Sequence, residues 1–162
     1  MDLGCYSLHA HRVLAPWAGG QPSLVAARGG ERSGLPGIDE WVDAELVFPS
    51  GATGLARCHM AGEATEMTYR IIGTRGEATV ANFVLPHLDD RLFVTTASGS
   101  RIEQLGTRSS YTYQLEALTA FVRRGVPMAT DSDDAVATMR LIDQCYRAIG
   151  LEPRPRSTGS MN

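Results

Sequence analysis

The sequence predicts an α+β fold: an open, mostly antiparallel β-sheet of about six strands with helices packed on one face. Three observations carry that expectation. A short segment of helical period opens the chain, brief alternating segments separated by glycine turns fill the middle, and two longer helical segments close it. A length of 162 residues suits one domain, and 43% hydrophobic residues is near the globular norm.

Residues 5–14 carry Leu8, Val13 and Leu14 and read as a helix opened by Asp2-Leu3-Gly4 and ended by Pro16 and Gly19-Gly20. A strand follows at 22–28, then a loop at 29–37 rich in Gly, Ser and Pro. Asp43 to Phe48 alternates, with Ala44, Leu46 and Phe48 on one face. Pro49-Ser50-Gly51 turns the chain into a return strand at 52–60. Residues 68–72 and 77–83 pair around the turn Gly73-Thr74-Arg75-Gly76, where glycine supplies the positive φ that tight hairpins need. A further hairpin spans 91–97 and 100–105 around Ser98-Gly99.

The helix at 110–124 puts Leu115, Leu118, Phe121 and Val122 on one face and stops at Gly125 and Pro127. The helix at 132–149 carries a stripe of Val136, Met139, Ile142, Tyr146 and Ile149. Its N-cap is Thr130, Asp131 or Ser132, and Asp133 and Asp134 suit the positive end of its dipole. Residues 1–152 are expected to form the domain and 153–162 a disordered tail. Phe48, Leu55, Ile71, Val80 and Phe93 are many apolar residues for one thin layer. They argue that the second sheet face is covered by another copy, a homo-oligomer through the sheet.

Composition excludes several functions. The net charge of −3 leaves no basic footprint for nucleic acid. No apolar run is long enough to span a membrane, and the N-terminus lacks a signal-peptide pattern. The three cysteines, Cys5, Cys58 and Cys145, form no CxxC pair and read as free thiols of a cytoplasmic protein. All 15 cationic residues are arginines, which removes a Walker lysine, a Schiff-base lysine and a lysine general acid from this chain.

Asp2, Tyr6 and His9 are spaced i, i+4, i+7 and share a helix face. Carboxylate, phenol and imidazole together suit proton transfer. Spacing alone fits a structural arrangement better, with Asp2 as a cap and Tyr6 and His9 as amphipathic packing. His9 and His11 point about 200° apart on a helix and cannot share a metal. His59 and Cys58 are strand neighbours and face opposite ways. His87 falls in a loop. Asp131, Asp133 and Asp134 lack the glycine and distal glutamate of an EF-hand loop and are better explained by helix capping, so no metal site is expected. No GxGxxG follows a strand, and no serine lies in a GxSxG context.

Three stretches add a resemblance: the opening DLGCYSLHAHRVL, the hairpin YRIIGTRGEATV, and the ending YTYQLEALTAFVRRGVPMATDSDDAVATMRLIDQCYRAIGLEPR. Together, over about residues 1–155, they resemble the C-terminal half of the Gfo/Idh/MocA oxidoreductases, named for glucose–fructose oxidoreductase and inositol dehydrogenase. The resemblance implies a two-domain enzyme. A Rossmann domain holds NAD or NADP, while an α+β domain supplies substrate contacts and often the oligomer interface. The implied substrates are sugars, polyols or related cyclic alcohols.

Members carry an Asp and, four residues later, a His or Tyr near the start of this domain. Here those positions are Asp2 and Tyr6, and members with Tyr there use it as a candidate proton donor. A phenol ionises near pH 10 in water, so acting near neutrality takes a nearby cation. In the family that cation is a lysine of a Glu-Lys-Pro motif in the nucleotide domain, which this chain lacks. Members with His at the Tyr6 position usually have Asp where His9 stands. His9 departs from that pattern and is assigned to substrate contact.

The expectation is therefore a substrate-binding domain, and a fragment of an NAD(P)-dependent dehydrogenase. By itself it should bind no dinucleotide tightly and turn nothing over. The alternative is a non-catalytic small-molecule-binding or self-association module that kept the fold without the cofactor half. A cofactor-independent enzyme using His9 or His59 would need a paired base and nucleophile that the sequence does not offer.

Overall fold

A computed structural model describes residues 1, 3–63 and 65–154. The fold is α+β, and the described residues form seven strands in two antiparallel sheets, of three and four strands. The chain forms two compact units, Met1–Gly62 with Ser132–Asn162, and Glu63–Asp131.

The first unit begins with α1 (Gly4–Val13), whose C-terminal end runs into a short 3-10 turn at Ala15–Trp17 led by Pro16. Three strands follow: β1 (Ser23–Glu31), β2 (Asp39–Val47) and β3 (Thr53–His59), in the order β1-β2-β3. Alternation along β2 sends Val42, Ala44 and Leu46 to one face, and Ala56 of β3 pairs beside Ala44. Leu8 of α1 and Leu141, Ile142, Cys145 and Tyr146 of α3 (Ser132–Ala148) close over that face. Each fully buried Leu or Val contributes roughly 1.5–3 kcal/mol.

Two glycines set how near the helices come. A Cβ at Gly54 would lie 2.4 Å from Cδ2 of His11, and one at Gly29 would lie 2.8 Å from Cδ1 of Ile149 and 2.9 Å from the Trp41 carbonyl oxygen. Residues 29–31 therefore belong to β1, where the sequence suggests a loop. Gly29 and Gly30 pair with Val42 and Trp41. Glycine there serves close approach rather than a turn. The second strand likewise starts at Asp39, four residues before the alternation becomes visible at Asp43.

Two side-chain assignments change. On α3 the buried residues are Thr138, Leu141, Ile142, Cys145 and Tyr146, whereas Val136 and Met139 are exposed. The buried stripe is rotated toward the residues that meet β1 and α1. Phe48, expected on an open sheet face, is buried.

The second unit is a meander, β4 (Tyr69–Gly73), β5 (Gly76–Val80), β6 (Arg91–Thr96) and β7 (Gly99–Gln104), followed by α2 (Ser110–Arg124). Gly125, at φ 67°, ends α2 in the left-handed conformation a C-cap favours. No residue of α2 is buried, and its apolar stripe of Leu115, Leu118, Phe121 and Val122 is exposed. By the strand register, Tyr69, Ile71, Ala78, Val80, Leu92 and Val94 share one face of the sheet. Among the described residues no helix is long and apolar enough to cross a membrane. Of the tail expected at 153–162, residues 155–162 lie outside the described residues.

Candidate functional site

The candidate residues lie on α1. Asp2 falls outside the described residues. Tyr6 and His9 are one turn apart on the same helix face. Tyr6 is 44% exposed, so its ring stands on the surface rather than in the core. The His9 side chain is 33% exposed.

His11 points the other way, as helical geometry requires. It is buried against Gly54, and its Nδ1–H donates to the Ser7 carbonyl oxygen at 2.8 Å. Burial pulls its pKa down, and the bond to Ser7 only partly offsets this. His9 and His11 thus share no ligand. Among the described residues no group of three or more His, Cys, Asp or Glu could hold a metal ion.

His9 does not stand alone. Its Nδ1 lies 3.3 Å from Oδ2 of Asp134, in the first turn of α3. The other oxygen of that carboxylate accepts a 2.7 Å hydrogen bond from Arg12, which is buried. The same guanidinium nitrogen donates to the Asp134 backbone oxygen at 2.9 Å and to Thr138 Oγ1 at 2.6 Å. A buried guanidinium is tolerated only when paired in this way. Asp134, expected from the sequence to serve the helix terminus, also ties α3 to α1. Sequence spacing misses Arg12, Asp134 and Thr138 because α1 and α3 are more than a hundred residues apart. The available signal was an arginine three residues after His9, in the last turn of α1.

A second polar cluster lies at Asp39. Tyr146 donates to its Oδ1 at 2.7 Å, and the Met1 amino group lies at the same oxygen, also at 2.7 Å. Burial favours the neutral acid, yet the Met1 ammonium and the Tyr146 hydroxyl hold the Asp39 carboxyl below its ordinary value. Burial, and after it the adjoining carboxylate, push the Tyr146 hydroxyl up to about 12. Both groups are consumed by their mutual contacts. Cys58 and His59 sit on β3 as strand neighbours, and burial raises the Cys58 thiol, which makes it a poor nucleophile. His87 sits in the loop between β5 and β6, as expected, with a buried Nδ1 that finds no hydrogen-bond partner among the described residues.

Tyr6 and His9 are both accessible to solvent on the α1 face. Two shallow depressions, one at the β4–β5 turn beside Thr95 and one along α2, lie elsewhere and include neither Tyr6 nor His9. Every named strand pairs antiparallel, so the described residues contain no βαβ unit of the kind that cradles a dinucleotide.

Comparison with known proteins points to a kinship. Residues 1–79 match the GFO/IDH/MocA C-terminal domain. The resemblance read from the sequence is thus borne out, and the match takes in α1, the three-stranded sheet and β4, and ends within β5. Similarity to other proteins extends further along the chain. It is 26% identical over 156 residues to the uncharacterized oxidoreductase ORF334 of Rhizobium meliloti, covering 91% of this chain and 45% of that protein. In fold it resembles the aldose-aldose oxidoreductase of Caulobacter crescentus solved with glycerol, with a TM-score of 0.75 and 24% identity over 90% of this chain and 43% of that one. It also resembles KijD10, a 3-ketoreductase of Actinomadura kijaniata solved with NADP, with a TM-score of 0.76 and 16% identity over 94% and 48% of the two chains. The chain spans less than half the length of each of these relatives.

Proposed function

We propose that this chain is the substrate-binding part of an NAD(P)-dependent oxidoreductase acting on a sugar, polyol or related cyclic alcohol. One observation carries the reading. The family's candidate proton-donor position is Tyr6, and Tyr6 stands exposed on α1 with His9 one turn further on. In this reading the nicotinamide belongs to another segment and accepts or returns the hydride. The residues of this chain handle the hydroxyl. The Tyr6 phenol gives or takes its proton, Asp2 orients the phenol or a neighbouring substrate hydroxyl, and His9 contacts the substrate. A positive charge to assist the phenol is supplied from outside, since this chain has no lysine and the buried guanidinium of α1, Arg12, is engaged by Asp134 and Thr138.

The chain, joined downstream of a family nucleotide-binding domain, should oxidise a polyol with NAD or NADP. Tyr6→Phe should lower kcat by about 10²–10⁴-fold, the usual worth of a positioned general acid–base group. A joined enzyme that turns over equally well without the phenol would remove Tyr6 from the reaction.

A second reading is a self-association module, with or without small-molecule binding. It rests on the apolar sheet face of Tyr69, Ile71, Ala78, Val80, Leu92 and Val94, none of which is fully buried. A homo-oligomer through that face should sediment as a discrete species, and Val94→Glu should return it to monomer. A wild-type chain that sediments as a monomer at high concentration would discard this reading.

A further inference from the structure

We propose that Asp134 is a positioning residue that fixes His9 in the tautomer protonated at Nδ1, so that Nε2 is presented as a hydrogen-bond acceptor for a ligand hydroxyl. The proposal rests on the reading of the Tyr6 face of α1 as the substrate side, and it assigns His9 a specific chemistry there.

The geometry runs outward from the core. Arg12 is buried on α1 and donates from one nitrogen to both the side chain and the backbone oxygen of Asp134, and to Thr138 one turn along α3. Those bonds hold the carboxylate in one orientation, with Oδ1 on the guanidinium and Oδ2 turned to His9. Oδ2 lies 3.3 Å from His9 Nδ1. A neutral imidazole carries its proton on one nitrogen and a lone pair on the other. A lone pair on Nδ1 would face the full negative charge of Oδ2 at that distance, which is repulsive. A proton on Nδ1 turns the same contact attractive. The lone pair is therefore on Nε2, directed away from the carboxylate, on a ring that remains one-third exposed.

The consequence is a pairing of functions on one helix face. Tyr6 offers a hydroxyl that can donate or accept, and His9 one turn later offers an acceptor that cannot donate at Nε2. A vicinal diol, as in a polyol or sugar, matches that pair, with one hydroxyl at the phenol and its neighbour donating to Nε2. A ligand that presents only acceptors, such as a ketone or ether oxygen, finds no donor at His9. Asp134 itself touches no ligand. It acts through His9, and Arg12 acts through Asp134.

The test is long-range 1H–15N correlation of the imidazole rings in the 15N-labelled 162-residue chain, at about pH 8.5, where a free imidazole is neutral. His9→Gln identifies the His9 signals among the four histidines. The expected wild-type pattern is a protonated Nδ1 and an unprotonated Nε2. In Asp134→Asn, Arg12 retains the amide oxygen and turns the NH2 group toward His9. An NH2 donor requires a lone pair on Nδ1, so the tautomer should switch to the Nε2-protonated form. A wild-type His9 protonated at Nε2 would overturn the proposal, as would an Asp134→Asn protein with the wild-type tautomer. The wild-type spectrum decides by itself should the variant fail to fold. This readout concerns ring nitrogens in the chain alone, so its failure is separate from a failure of Tyr6→Phe to affect turnover in a joined enzyme.

Discussion

Replacing Gly54 with alanine should destabilise the first unit, and the same replacement should stabilise it once His11 is removed. Gly54 pairs with Leu46 in the β2–β3 ladder and carries no left-handed backbone angle, so alanine fits its conformation. The obstacle is the His11 ring. An alanine Cβ would lie 2.4 Å from Cδ2 and 2.9 Å from Nε2 of a buried side chain whose Nδ1–H is bound to the Ser7 oxygen. The ring has to shift, and overpacking of this kind costs about 1–3 kcal/mol. Alanine also restricts the unfolded chain, which returns about 0.4–1 kcal/mol. The net expectation is a loss of about 1–2 kcal/mol in the wild-type background. In a His11→Ala background the clash is gone and only the gain of roughly 0.5 kcal/mol remains. The assay is urea unfolding followed by tryptophan fluorescence. Trp17 and Trp41 are the two tryptophans, and both report on the first unit. A Gly54→Ala change that stabilises both backgrounds equally would refute the close packing of α1 on β3.

Three further outcomes follow from the same core. Leu46→Ala, at a side chain only 1% exposed, should cost about 2–5 kcal/mol in the same urea assay, while Leu55→Ala on the exposed face should change stability by less than about 0.5 kcal/mol. The Tyr146 hydroxyl is pushed up to about 12, above the ordinary phenol value near 10, so the unfolded chain loses its proton first. That contribution is complete below about pH 10 and fades as pH rises toward 12; Tyr146→Phe should flatten this alkaline loss in unfolding midpoints measured across the window. Burial lowers the His11 pKa beneath the ordinary 6.5, so its contribution is present above that pH and is lost as acid protonates the unfolded ring and then the folded one. His11→Gln should therefore show a shallower fall in stability between neutral pH and about pH 5 than the wild-type chain.

Most elements were legible because period and punctuation agree. Leu46 and Ala44 alternate with polar residues and enter the core together, and the turn at Gly73–Gly76 joins β4 to β5 as read. The misread positions share a cause. Gly29 and Gly30 look like loop residues because glycine ordinarily marks turns, yet here Ile149, just past the end of α3, and Trp41 lie where any Cβ would go. Helical period also suggests that Val136 and Met139 are core residues, but it cannot say which face meets a neighbour. The stripe that meets β1 and α1 is instead the one through Leu141 and Cys145.

The candidate site was legible only in part. Tyr6 and His9 share a face because a helix puts them there. The Arg12–Asp134–Thr138 anchor behind His9 joins residues 122 and 126 positions apart, a separation no local pattern reports. Nothing in spacing distinguishes Asp134 from its neighbour Asp133, since both suit a helix N-terminus. Only packing of α3 against α1 selects one of them.

The central claim is that the exposed phenol on α1 moves the substrate hydroxyl's proton. Its most direct measurement is kcat for NAD(P)-linked polyol oxidation by the chain joined to a nucleotide-binding domain, with Tyr6 and with Tyr6→Phe. The account predicts a fall of at least about 100-fold with the ring's position retained. Equal turnover by the two proteins would contradict it.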